Sequence, residues 1–210
     1  VGGLFERWLL QYIAGSAEQG SFSLSYKISQ LCFIFTSAMI PLIIREFSIA
    51  AGQNNYDKIK YQFKIIAPIL FTFSAFIACF VIIQAKTVIY FLGSEEFTGA
   101  LAPLIIMSFY PIHQTYGQLL GSFFISTGRT KLISIIGITT VVVSIVTTYI
   151  FVGSKDYYGL GLGALGLSLK MIIVQFCQVN IQLFIVTKIL GLSFLKFFLH
   201  QIGIIALFLI

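Results

Sequence analysis

Three long stretches of the chain carry no Lys, Arg, Asp or Glu, namely residues 65–85, 98–128 and 132–154. Each is long enough for an α-helix that crosses the hydrocarbon core of a bilayer, which takes about 20 apolar residues. Of the 210 residues only 10% are charged, whereas a soluble domain carries about 25%. A water-soluble fold would leave this apolar excess on its surface, so the sequence predicts a protein that resides in a membrane.

Hydropathy divides the chain into seven apolar segments, joined by connections that are short and contain glycine. No segment alternates polar and apolar residues over about ten positions, as strands of a membrane barrel would. Helices satisfy their own backbone hydrogen bonds within lipid, so we predict an all-α, polytopic transmembrane helix bundle of about six to seven helices. The segments are 1–14, 21–46, 64–92, 101–127, 131–153, 162–188 and 201 to the end.

The basic residues of the connections predict the orientation of the bundle, because cytoplasmic connections retain Lys and Arg. The connections after the first, third and fifth segments hold one basic residue, Lys155, together with the acidic Glu18, Glu95, Glu96 and Asp156. The first segment is therefore predicted to run outward, and the net charge of +6 reflects topology rather than nucleic-acid binding. The connections after the second, fourth and sixth segments hold Arg45, Lys58, Lys60, Lys64, Arg129, Lys131, Lys188 and Lys196.

Four basic residues lie within the predicted helices, where a charge at the bilayer centre costs about 2.5–3.5 kcal/mol. Lys86 is near a helix end and can extend to the headgroups. Arg7, Lys27 and Lys170 lie at similar depth in the outer half, and we predict that they line a hydrated cavity for an anionic substrate group. The alternative is that they pair internally, most obviously with Glu6, or reach the outer headgroups. The polar residues predicted to line or gate this cavity are Gln11, Gln30, Tyr110, His113, Gln114 and Gln178.

The fourth segment combines a polar face with two prolines. Tyr110, His113 and Gln114 are spaced to share one helix face, and Pro103 and Pro111 remove backbone hydrogen bonds. Such a helix can bend or gate, and the imidazole of His113 could take part in proton coupling. A hydrogen-bonded histidine packed inside the bundle explains the same pattern equally well.

No pattern of residues points to an enzyme. GLGALG at 161–166 matches a dinucleotide-binding pattern, but no strand–helix–strand unit surrounds it and no acidic residue follows about 20 positions on. The three cysteines, Cys32, Cys79 and Cys177, lie inside apolar segments and predict no disulfide framework. We therefore expect no catalytic residue, no metal and no cofactor.

Three stretches, taken in order and spacing, resemble the polysaccharide exporters of the multidrug/oligosaccharidyl-lipid/polysaccharide superfamily, and the O-antigen flippases in particular. They are GSAEQGSFSLSYK at 15–27 with Pro41 beyond it, TGRTK at 127–131, and YGLGLGA at 158–164. The first departs from the family pattern, because Phe22 stands where Tyr is usual and Ser25 where Ala is usual.

The resemblance implies that residues 1–210 are the C-terminal helical bundle of a transporter with 12 to 14 helices. The chain begins at Val1 rather than Met and ends in an apolar run, so we expect it to be truncated at both ends. It further implies a multi-pass protein of the bacterial inner membrane that moves an undecaprenyl-diphosphate-linked oligosaccharide to the outer leaflet by alternating access, without ATP. Arg7, Lys27 and Lys170 would suit the diphosphate. Expected partners are this substrate, membrane lipids and polysaccharide assembly proteins, with no nucleic acid.

Three other functions stay open. A cation-coupled multidrug or metabolite antiporter of the same superfamily would need a buried acid, for which Glu6 is the candidate. A membrane-embedded glycan-assembly enzyme would need a large outer connection, and the outer connections here are short. A non-transporting scaffold has no feature in its favour.

Overall fold

The computed structural model describes residues 2–93, 95–155 and 158–209, and within these ranges every regular element is a helix. The all-α prediction is therefore confirmed. Asp156, used above in the orientation argument, lies outside the described residues. The helices are α1 (Gly2–Ala14), α2 (Ser16–Leu31), α3 (Ile34–Gly52), α4 (Tyr56–Ile83), α5 (Ala85–Gly93), a 3-10 helix (Glu95–Ala100), α6 (Leu101–Met107), α7 (Phe109–Ser126), α8 (Thr130–Val152), α9 (Gly163–Ile189) and α10 (Phe194–Leu209).

Four of these helices, α3, α4, α8 and α9, are long and apolar enough to cross a membrane. Helix α8 is the clearest case, because only 11% of its most apolar window is buried inside the protein. Its outward side chains are mostly Ile and Val, and such a surface is stable only against lipid or another apolar surface.

The predicted boundaries are accurate for α1, α8 and α9, which agree within one residue at each end. They are wrong at the start of α2 (Ser16 rather than 21), the end of α3 (Gly52 rather than 46), the start of α4 (Tyr56 rather than 64) and the start of α10 (Phe194 rather than 201). The extra residues include charged or polar side chains, among them lysines in α4 and α10, which hydropathy excludes from a segment although Lys is a good helix former. The start of α4 is fixed by Asn55, whose side-chain oxygen accepts a hydrogen bond from the Lys58 amide at 2.9 Å.

The segments 21–46, 64–92 and 101–127, each predicted as one helix, are divided into two. The break between α6 and α7 follows from Pro111, which has no N–H to donate to the Met107 carbonyl, and α6 ends at Met107. Pro111 itself lies in the first turn of α7, where proline is tolerated. The break between α2 and α3 has a different cause, because the backbone there forms a 3-10-type turn. The Cys32 and Phe33 amides each donate to the carbonyl three residues earlier, at 3.1 Å.

Helices α7 and α9 form the centre of the bundle and pack against each other. Helices α3 and α4 cover α7, while α8 and α6 cover α9. The main core joins α3, α4, α7, α9 and α10 around Phe63, Phe71 and Phe123. A smaller core joins α1, α2, α6, α8 and α9 around Leu10, Phe22 and Leu167. The helices that form the smaller core also hold most of the polar residues discussed below.

The connection between α8 and α9 folds back onto the end of α8. The amides of Leu160 and Gly161 donate to the carbonyls of Ile150 and Gly153, each at 2.8 Å, and so satisfy acceptors that a helix end leaves free. Gly159 lies directly against Gly153, where an added Cβ would overlap the Gly153 carbonyl. The close approach therefore requires glycine at position 159.

We expect Gly159→Ala to lower the stability of the purified protein by about 1–3 kcal/mol, because the new methyl group forces this connection away from α8. The matched control is Gly137→Ala in the middle of α8, where an added Cβ meets nothing within 4 Å. That change should be neutral or stabilising by up to about 1 kcal/mol through helix propensity. Thermal unfolding in detergent measures the midpoints of the two variants. Equal midpoints would contradict the close packing of Gly159 against Gly153.

Candidate functional site

Two buried charged side chains, Lys170 and Glu6, form a cluster with Ser144, and the three residues come from three helices. Lys170 on α9 donates to the Glu6 carboxylate on α1 at 2.5 Å and to the Ser144 hydroxyl on α8 at 2.5 Å. The Ser144 hydroxyl donates to the same Glu6 oxygen at 2.6 Å. Lys170 is 1% exposed and Glu6 5% exposed. Each charge is thus compensated by its neighbour, as a charge buried in an apolar bundle must be.

Helix α9 sets the depth of Lys170. The helix starts at Gly163, where the Glu18 carboxylate on α2 accepts a hydrogen bond from the Ala164 amide at 2.6 Å. This contact caps the positive end of α9 and ties it to α2. Lys170 follows seven residues later, which places it about 10 Å along the helix from its first residue. The cluster is therefore well inside the apolar part of the bundle.

A cavity of about 370 Å³ opens beside this cluster. Glu6, Ser144 and Lys170 form part of its wall, and its volume is within the range typical of small-molecule sites. The remaining wall is mixed in polarity, with aromatic rings, amides and aliphatic side chains. These lining residues are Gly3, Tyr26, Tyr110, Thr140, Val141, Met171, Val174, Gln175 and Gln178.

Tyr26 and Tyr110 line this cavity, and Arg7, which does not line it, packs on the Tyr26 ring. The Arg7 guanidinium lies 4.3 Å from the centre of the Tyr26 ring, which is a cation–π contact. The Tyr26 ring is 6.1 Å from the Tyr110 ring. The positive charge of Arg7 is thus held against a residue of the cavity wall rather than in the wall itself.

The structure brings together some of the predicted cavity residues and separates others. Lys170, Tyr110 and Gln178 line the cavity, and Gln114 accepts a hydrogen bond from Gln175, which also lines it. Lys170 is already paired with Glu6, which is the arrangement that the sequence left open as the alternative. The other predicted residues do not line the cavity: Arg7 and Gln30 are half-buried, Lys27 and Gln11 are exposed, and His113 is buried elsewhere.

His113 belongs to a second polar cluster among α7, α9 and α10. Its ring packs 5.1 Å from the Phe176 ring and 6.5 Å from the Phe71 ring. Gln201 donates to Asn180 at 3.3 Å. Three buried polar atoms of these side chains have no hydrogen-bond partner in the described part of the chain: His113 Nδ1, Tyr116 Oη and Gln201 Oε1. Buried polar atoms of this kind are normally satisfied by internal water.

Sequence reasoning missed Ser144 and Thr140 on α8 as site residues. Both lie in a long apolar run rich in β-branched residues, and a single hydroxyl hardly changes the hydropathy of such a run. Their spacing of four residues was the available signal, because it places both hydroxyls on one helix face. That face is the one that contacts Glu6 and Lys170.

The chain was compared with protein-family models, curated proteins and solved structures. No significant match is found. Within the described ranges, no group of three or more His, Cys, Asp or Glu side chains could hold a metal ion. A function for the chain must therefore be argued from the cavity, its charges and the sequence resemblance.

Proposed function

We propose that the protein is a membrane transporter whose cavity accepts a polar, anionic substrate group. The observation that carries the proposal is the Lys170–Glu6–Ser144 cluster in the wall of a mixed polar cavity, deep among apolar helices. Ionisable groups at such depth are costly, and in membrane proteins they mark substrate or ion pathways. Arg7, which packs on the cavity residue Tyr26, adds a positive charge that favours an anion.

The sequence resemblance to the O-antigen flippases narrows the proposed substrate. We propose an undecaprenyl-diphosphate-linked oligosaccharide, moved from the inner to the outer leaflet of the bacterial inner membrane by alternating access and without ATP. The chain would contribute the C-terminal bundle of a longer transporter, and the protein would not be an enzyme. A diphosphate is negatively charged, and the positive charges of Arg7 and Lys170 would attract it.

We further propose that the chain crosses the membrane six to seven times, with the divided segments as broken spans. Discontinuous helices are common beside transporter binding sites. The break between α6 and α7 supports this reading, because Tyr110 follows it by two residues and lines the cavity.

The direct test of the proposed function is deletion of the full-length gene in its host. Lipid-linked oligosaccharide should accumulate in the inner leaflet, because the step that exposes it to outer assembly proteins is lost. An unchanged distribution of the lipid-linked intermediate between the leaflets would contradict the proposal.

The proposed orientation places residues 53–55, between α3 and α4, in the cytoplasm, because Arg45, Lys58, Lys60 and Lys64 flank them. A single cysteine introduced at Gln53, in a variant without the native cysteines, should react with a membrane-impermeant thiol reagent only after the cells are opened. A cysteine at Lys155 is the matched control and should react in intact cells. Labelling of the Gln53 site in intact cells would reverse the proposed topology.

A second candidate is a cation-coupled antiporter, and one observation favours it. Glu6 is a buried carboxylate in the cavity wall, the kind of residue on which a coupled cation or a cationic drug would bind. Its pairing with Lys170 weakens this candidate, because the carboxylate is already neutralised. Drug resistance of cells that overproduce the protein would favour the antiporter over the flippase.

A further inference from the structure

Glu6 occupies the position on Lys170 that an anionic substrate group would take. The Lys170 ammonium is held by two oxygens, Glu6 Oε1 and Ser144 Oγ, at 2.5 Å each, and is 1% exposed. The ammonium has a third N–H, but a phosphate oxygen that reaches it brings a second negative charge beside the Glu6 carboxylate, and one buried cation cannot compensate both. The cavity therefore starts with an internal anion in its site.

Among the residues that the structure describes, Lys170 is the one cation paired with the Glu6 carboxylate. Arg7 is its neighbour in sequence, and adjacent residues of a helix do not face each other. The Arg7 guanidinium is in addition directed at the Tyr26 ring, 4.3 Å from its centre. The groups that face Glu6 from the other helices are Lys170 on α9, Ser144 on α8, and Tyr26 and Tyr110, which share the cavity wall. Of these, Lys170 alone is cationic.

We infer that Glu6 takes up a proton when an anionic substrate group binds Lys170, so that the anion and the proton occupy this site together. This inference rests on the proposed function, because it assumes that the cavity binds a phosphate-type anion. In the resting site, the ammonium pairs with the carboxylate. In the occupied site, the ammonium pairs with the phosphate oxygen, and one proton from the solvent in the cavity converts the carboxylate to a carboxylic acid.

Ser144 is placed to serve both states. In the resting site its hydroxyl donates to Glu6 at 2.6 Å. In the occupied site the new Glu6 O–H donates to the Ser144 oxygen, because a hydroxyl can reverse its role from donor to acceptor. When the anion leaves, Glu6 returns the proton to the solvent and pairs with Lys170 again. Anion binding and proton binding thus strengthen each other by the same factor.

The test is the binding of farnesyl diphosphate to the full-length protein in detergent, with farnesol as the uncharged control. Titration calorimetry in two buffers of different ionisation enthalpy counts the protons taken up. Above about pH 7 the phosphate ester is itself ionised, since its second ionisation is near pH 6. The wild-type protein should take up about one proton for each diphosphate bound. Its affinity for farnesyl diphosphate should therefore fall by up to about tenfold for each unit by which the pH is raised.

Glu6→Gln removes the internal anion and keeps an oxygen for Lys170. This variant should bind farnesyl diphosphate about tenfold more tightly at the same pH, with about one proton fewer taken up. Lys58→Gln, at an exposed ion pair, is the control and should bind like the wild type. The pH profile of the wild type needs no variant, so the inference is tested even if Glu6→Gln does not fold.

The outcomes separate the two proposals. If the wild-type protein binds farnesyl diphosphate no better than farnesol, the proposed function fails. If it binds the diphosphate with no dependence on pH and with no proton uptake, the exchange at Glu6 is overturned while the anion site stands. Proton uptake that persists unchanged in Glu6→Gln would also overturn the exchange.

Discussion

Replacing Lys170 with Met is expected to destabilise the protein by about 3–5 kcal/mol, because it leaves the Glu6 carboxylate buried without its counter-charge. Glu6 is 5% exposed and, of its hydrogen-bond partners in the described ranges, would retain the Ser144 hydroxyl. Adding Glu6→Gln to the Lys170→Met variant removes the stranded charge and should return the stability to within about 1–2 kcal/mol of the wild type. Reversible unfolding in mixed micelles measures all four members of this cycle.

The matched control is the exposed pair of Lys58 and Glu46, whose charged atoms are 3.5 Å apart and whose side chains are 39% and 45% exposed. Lys58→Met should change the stability by less than about 1 kcal/mol, because water screens that pair. An effect of Lys170→Met as small as that of Lys58→Met would show that Glu6 and Lys170 are not a buried ion pair.

The double variant Glu6→Gln/Lys170→Met is expected to lose transport although it folds. It removes the ammonium that would hold the anionic group, and a hydrogen bond to a charged group contributes about 1.5–3 kcal/mol, which corresponds to about tenfold or more in binding. Complementation of a strain that lacks the full-length gene, scored by surface polysaccharide at equal protein abundance, measures the loss.

Two controls make this loss specific to the cavity. The Lys58→Met variant should complement fully. Lys27→Gln should also complement nearly fully, because Lys27 is exposed and does not line the cavity. Full complementation by the double variant would remove Lys170 from the substrate path.

The sequence predicted the fold class well because length and apolarity determine it almost alone. Helices α1, α8 and α9 were predicted within one residue, since glycines and polar connections bound each of them. The divided segments were not predicted, because hydropathy measures how apolar a stretch is and is insensitive to a break within it. Of the two prolines noted in the fourth segment, Pro111 lies four residues after the end of α6 and accounts for the break, whereas Pro103 lies within α6.

The candidate site was predicted in part. The intrahelical charges were recognisable because they are rare in apolar segments, and Lys170 does line a cavity. Which cations pair internally depends on how α1, α8 and α9 pack, and a one-dimensional pattern contains no such contacts. For that reason Lys170 was predicted as a free cavity cation although Glu6 and Ser144 hold it, and Lys27 was grouped with it although it is exposed.

The most direct test of the account is a flipping assay with the full-length protein in proteoliposomes. A fluorescent undecaprenyl-diphosphate oligosaccharide, placed in both leaflets, is quenched from outside by a membrane-impermeant reagent. Without flipping about half of the fluorescence is protected, and we expect the wild-type protein to remove this protection, whereas the Glu6→Gln/Lys170→Met variant leaves most of it. Protection with the wild-type protein equal to that of protein-free vesicles would contradict the proposed transport.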